Sequence, residues 1–108
     1  MDDKKIIDLY FARDEQAIAE TQTKYGRLLL SVAMNILHSS PDSEECESDT
    51  YLRAWNAIPP TIPEILSAFL TKITRNLALN RLRDGRRRLE AELVYEEIAE
   101  AIPDVSGD

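Results

Sequence analysis

The residues best suited to chemistry in this chain lie between Lys72 and Arg88, KITRNLALNRLRDGRRR. This run carries seven bases against one acid, a local +6 within a chain of net charge −7. On a helix advancing about 100° per residue, Lys72, Asn76, Asn80, Arg83 and Arg87 fall within one sector of about 80°. Arg75, Arg81, Arg86 and Arg88 complete the cationic run. Guanidinium and ammonium groups neutralise phosphates, while an asparagine amide presents a donor and an acceptor together, the combination that reads a base edge. The pattern points to a helix that binds nucleic acid; the alternative is an ordinary solvated face. The rest of the chain is neutral or acidic: −6 over residues 1–50, 0 over 51–71 and −7 over 89–108. A polyanion would be met on one side and repelled on the others.

A second stripe precedes the first. Glu45, Asp49, Arg53 and Asn56 recur at i, i+4, i+8 and i+11, with Leu52 at the margin, while Tyr51, Ala54, Trp55 and Ile58 take the inward positions. Acids beside one aliphatic anchor suit a helical partner rich in arginine. Again the alternative is a wet helix face.

Elements able to position these stripes are all helical. The chain has only three glycines among long stretches at helical spacing, and no pair of alternating segments that would make a hairpin. The periodicity predicts a first helix over Asp3 to Ala12, with Ile6, Ile7 and Tyr10 on one face. Asp14 is placed to cap a second helix reaching His38, whose apolar stripe is Ile18, Tyr25, Leu28, Leu29, Val32, Ile36 and Leu37. Gly26 costs that helix about 1 kcal/mol relative to alanine, so packing must hold it. Ser40 as N-cap, Pro41 at the first helical position and the acids Asp42, Glu44 and Glu45 open a third helix to Ala57. Pro59-Pro60-Thr61-Ile62-Pro63 forbids regular helix. A fourth helix opens near Pro63, with a core stripe of Leu66, Phe69, Leu70, Ile73 and Leu77, and Gly85 is expected to weaken it. Beyond it, Leu93, Val94, Ile98 and Ile102 suit either a short helix or a tether, with Pro103 and Gly107 favouring an open end. The expected fold is a compact all-α bundle of about four helices, one domain of 108 residues at most.

Several function classes have no support. No nucleophile–base pair, glycine-rich phosphate loop or pair of catalytic carboxylates is present, so no enzyme is expected. His38 and Cys46 are each the only residue of their type; they make neither a zinc site nor an internal disulfide. No apolar run approaches the ~20 residues needed to cross a bilayer. The acids of the amino terminus do not suit a secretion signal, and a cytoplasmic protein is expected.

DSEECESDTYLRAW (residues 42–55), followed by a short loop and then SAFLTKITRNLALNRLR (residues 67–83), resembles the second domain of bacterial RNA polymerase sigma factors of the extracytoplasmic-function group. There an acidic helix ending in a motif like DAEDVVQETFLRAW precedes one like WLYRIARNLALDRLR. The resemblance covers roughly residues 5–88. It implies that the acidic helix docks on the clamp helices of the polymerase β′ subunit. Glu45 stands for the motif's second aspartate, Ser48 for its glutamine and Asp49 for its glutamate; Arg53 matches, and Leu52 and Asn56 join them. It implies too that the basic helix and the preceding loop, with Pro60, Thr61 and Ile62, hold the non-template strand of the promoter −10 element. Asn76 and Arg83 match the family, and Asn80 replaces an aspartate.

By this resemblance residues 1–88 form the sigma domain. Residues 89–108 begin an acidic linker toward a −35-binding domain beyond Asp108, which makes the chain a piece of a longer protein. The partners implied are core RNA polymerase and promoter DNA, with room for an anti-sigma factor, and with no cofactor, metal or membrane insertion. Two rival readings stay open. One is a helical protein-interaction module whose basic helix binds an acidic partner; the other is a general nucleic-acid binder without a polymerase connection.

Overall fold

The computed structural model describes residues 1–101, with side chains through Ile98. Four helices follow in order: α1 (Asp3–Phe11), α2 (Gln16–Leu37), α3 (Ser40–Ala57) and α4 (Leu66–Ala101). The described residues contain no strand. Among them, no helix is long and apolar enough to cross a membrane. The expected Ile102, Pro103 and Gly107 features lie outside the described residues.

Local chemistry sets most helix ends. The Asp2 carboxylate accepts from the Lys5 N–H at 2.9 Å and opens α1. Glu15 rather than Asp14 stands at the N-cap of α2, and Asp14, one residue earlier, accepts from the Gln16 N–H at 3.0 Å. His38 closes α2 in the left-handed region at φ 51°, with its N–H donating to the Met34 carbonyl. That closure leaves Ser39 extended, so Ser39 rather than Ser40 caps α3, accepting from the Asp42 N–H. Pro41 follows in the first turn, where its missing N–H is not needed. The proline-rich stretch is non-helical, and α4 begins at Leu66, three residues later than expected. Pro63 is buried and pins the loop before the helix can start.

Two buried clusters hold the bundle. The larger unites Ile6, Tyr10, Ala17, Leu29, Tyr51, Ala54, Ile58, Leu66 and Leu70. The smaller joins Ala33, Cys46 and Ala78 where α2, α3 and α4 meet. The α2 stripe is narrower than its apolar pattern suggested, for Leu28 is 44% exposed. The fully buried α2 positions are mostly small, Ala17, Thr21, Gly26 and Ala33 beside Leu29, which lets neighbouring helices approach closely. At Gly26 an added Cβ would stand 3.1 Å from a Glu47 carboxylate oxygen and 3.4 Å from the Tyr51 hydroxyl. Tyr51 in turn donates to Glu47 at 2.5 Å. The helix penalty of Gly26 is therefore offset by a close α2–α3 crossing.

Buried hydroxyls are satisfied in pairs. Thr50 donates to the Cys46 carbonyl at 2.7 Å and lies 2.7 Å from Thr74. Thr74 lies 3.1 Å from the Leu70 carbonyl as well, so its single proton is shared between that acceptor and Thr50, and the hydroxyl pair ties α3 to α4. Tyr10 and Thr21 repeat the device between α1 and α2 at 2.7 Å, with Thr21 donating to the Ala17 carbonyl.

The fourth helix does not weaken at Gly85. It continues through the arginines into residues 89–101 as one 36-residue element, about 54 Å at 1.5 Å per residue. Nothing lies within 4 Å of a Cβ built at Gly85, and every residue from Arg83 to Ile98 is exposed. Leu89, Leu93, Val94 and Ile98 are each more than half exposed and belong to neither core cluster. Of the two states open for this stretch, its described part is helix.

Candidate nucleic-acid and protein interfaces

The cationic stripe stands on the outer side of α4. Thr74 and Ala78 face the core, while Lys72, Arg75, Asn76, Asn80, Arg83, Arg86 and Arg87 are all exposed. Both asparagine amides are thereby presented among cations, free of the buried hydrogen-bond pairs that hold the helix. The α3–α4 loop brings Pro60, Thr61 and Ile62 to the surface just ahead of this helix, Ile62 being 70% exposed. Leu79 is also exposed and borders the stripe on the helical projection, and Ile65 is exposed in the loop just before α4, adding apolar surface that the charge pattern did not reveal.

The loop is braced from an unexpected direction. Arg13, in the left-handed region at φ 54° between α1 and α2, donates to the Trp55 and Ile58 carbonyls at 2.7 and 2.9 Å. Its guanidinium lies 3.6 Å from the centre of the Trp55 ring. The carbonyls at the end of α3 are thus satisfied, and the departure of the 58–63 segment is fixed. An isolated arginine in a connecting turn carried no sequence signal for that role.

On α3, Glu45, Ser48, Leu52, Arg53 and Asn56 are exposed and Asp49 is half-buried, while Tyr51, Ala54 and Ile58 are buried and Trp55 half-buried as expected. Leu52, Arg53 and Asn56, with Ala57, line one side of a groove of about 680 Å³, and Phe69 and Ile73 of α4 form the other. The stripe therefore has two chemistries: carboxylates toward the start of α3, then an apolar groove rimmed by Arg53 and Asn56. Phe69 and Ile73, expected on the core stripe, are half-buried at this groove, Phe69 packing against the main cluster from its edge.

One cation departs from its neighbours. Arg81 points toward α3, where it meets Glu45 at 2.5 Å, Asp42 at 3.7 Å and Asp49 at 3.8 Å. The Glu45 contact raises its pKa further. The sequence did hold a signal for this, since nine residues after Lys72 on a helix is about half a turn away from the stripe. Cys46 is buried, and burial pushes its thiol pKa up, away from reactivity. Among the described residues, no cluster of His, Cys, Asp and Glu has the makings of a metal site.

The Sigma-70 region 2 family matches residues 22–88, which take in most of α2, all of α3, the loop and the basic part of α4. The chain belongs to that family. Its members are sigma factors, non-enzymatic subunits that act in transcription initiation, and region 2 generally implies binding to core RNA polymerase and promoter DNA. No curated protein and no solved structure matches the chain.

Proposed function

We propose that this chain is the core-binding and −10-reading domain of an extracytoplasmic-function sigma factor acting in the cytoplasm. Residues 1–88 supply both surfaces, and residues 89–108 lead toward a −35-binding domain. In this reading Glu45, Ser48, Asp49, Leu52, Arg53 and Asn56 dock on the β′ clamp helices. Lys72, Arg75, Asn76, Asn80, Arg83, Arg86 and Arg87, with Pro60, Thr61 and Ile62, hold the non-template strand of the opened −10 element. The observation that carries it is the exposure of Asn76 and Asn80 among unburied cations on a face separate from the acidic one.

The physics of that role is consistent. Extruding a base costs a few kcal/mol, which a pocket and phosphate contacts must offset. Five cations on a single strand give a salt slope of about −3.5 in log K against log salt, and removing one should lower its magnitude by about 0.7. The acidic remainder of the chain opposes binding to DNA at large until polymerase positions the domain.

Binding of a single-stranded −10 oligonucleotide and a scrambled one of equal length, with and without core polymerase, tests the reading. Preference for the −10 strand, lost in Asn76→Ala, is expected. Equal affinity for both strands would favour a general nucleic-acid binder, and binding of neither a protein-interaction module.

A further inference from the structure

We propose that Arg81 is a positioning residue for the docking carboxylates of α3 and not one of the promoter-binding cations. The inference rests on the docking role proposed for α3, and it removes one arginine from the cationic run. Asp42, Glu45 and Asp49 follow one another at i+3 and i+4 spacing, so three negative charges share one helix face and repel each other. Arg81 answers them from the neighbouring helix, reaching Glu45 Oε1 at 2.5 Å, Asp42 Oδ1 at 3.7 Å and Asp49 Oδ2 at 3.8 Å. Its side chain is 31% exposed, and those of the acids 60%, 54% and 45% in the same order. The cation is therefore the inner member of the cluster, and the carboxylates are the outer.

That layering decides its role. A carboxylate has lone-pair sites for several donors, so a guanidinium bound from the inside leaves room for a second from the outside. With Arg81 in place, Glu45 and Asp49 present fixed, outward acceptors to an arginine-bearing partner. Without it, Glu45 must be ordered when the partner arrives, and ordering a rotamer-rich side chain opposes association. Arg81 also sits just beyond Ala78, the last fully buried residue of α4. The pairs therefore join the docking helix to the promoter helix at the point where α4 leaves the body.

Binding to core polymerase and to a single-stranded −10 oligonucleotide is measured in parallel for the 108-residue chain, Arg81→Ala, Glu45→Ala/Asp49→Ala and the triple variant. Arg81→Ala should bind polymerase about fivefold more weakly and the oligonucleotide within twofold of the parent. In the Glu45→Ala/Asp49→Ala background it should cause no further loss. A merely structural role would give additive losses, and that result overturns the proposal. So do a fall in oligonucleotide binding with polymerase binding intact, and a gain in polymerase binding that marks Arg81 as a competitor of the partner. If Glu45→Ala/Asp49→Ala binds polymerase normally, the docking role itself fails and this inference with it. Should circular dichroism show Arg81→Ala partly unfolded, Arg81→Lys replaces it. Lysine keeps the charge without the planar fork, so a loss of about twofold is expected, and no loss overturns the proposal.

Discussion

The two exposed stripes differ less in how much charge they carry than in what balances it. On α3 the acids Asp42, Glu45 and Asp49 meet a cation from inside the molecule. On α4, Lys72, Asn76, Asn80, Arg83 and Arg87 stand exposed, outside that ion-pair cluster. A surface whose charges are held from within suits a fixed protein contour. One whose long cationic side chains make no ion pair among the described residues suits a flexible strand of regularly spaced phosphates. One bundle thus offers a shaped face and an adaptable one, and separate experiments can reach each.

The largest effect should come from removing the frame that keeps the faces apart. Leu70 is wholly buried in the main cluster, and Leu70→Ala should cost about 2–5 kcal/mol. Urea denaturation would show it, and polymerase and oligonucleotide binding should fall together. Reversing charge with Glu45→Lys/Asp49→Lys should instead separate the faces, weakening polymerase binding by tenfold or more in a pull-down titration while leaving oligonucleotide capture unchanged.

Smaller effects sharpen the contrast between the body and the projecting part of α4. Gly26 and Gly85 are both helical glycines, yet the same substitution should act on them with opposite signs. Gly26→Ala pushes a methyl against the Glu47–Tyr51 pair and should destabilise by about 1 kcal/mol or more. Gly85→Ala meets nothing and should add helix stability of up to about 1 kcal/mol. Thermal melts followed by circular dichroism report both.

Least in size is the acid sensitivity of the α1–α2 contact. Asp3 accepts from Lys24 at 2.8 Å and from Tyr25 at 2.7 Å, and the Lys24 hydrogen bond leads in holding its pKa below the usual value. The carboxyl binds its proton less readily folded than unfolded. Its contribution is therefore complete above the unfolded value, near 4, and fades as pH falls through the folded one. For an exposed pair that contribution is small. Asp3→Asn should flatten the stability profile below about pH 4.5 by a correspondingly small amount.

Helix number and type were legible because the apolar period agreed with local turn chemistry near Asp14 and Ser39-Ser40-Pro41, although the caps themselves fall one residue from the positions expected. What escaped was decided between elements. Arg13 looks like any surface arginine until the loop is set beside it, and the place of Arg81 on the far side of α4 does not name the acids it meets until α3 is set there. Thr50 and Thr74 sit 24 residues apart, and nothing in either neighbourhood announces that their hydroxyls meet. Gly85 misled because a single glycine costs about 1 kcal/mol, whereas charge pairs at i+4, Asp84–Arg88, Arg86–Glu90 and Arg88–Glu92, favour helix on both sides of it. The α4 positions expected to face outward are exposed, since the opposite face of that helix is filled by Leu66, Leu70, Thr74 and Ala78.

The central claim, that α3 and α4 present separate surfaces for polymerase and for an opened promoter strand, is tested most directly by a crossed measurement. Asn76→Ala and Glu45→Lys/Asp49→Lys are each titrated against core polymerase and against a single-stranded −10 oligonucleotide under the same salt. The account predicts that Asn76→Ala loses only the oligonucleotide and the charge reversal only the polymerase. Parallel losses of both ligands in either variant would contradict it.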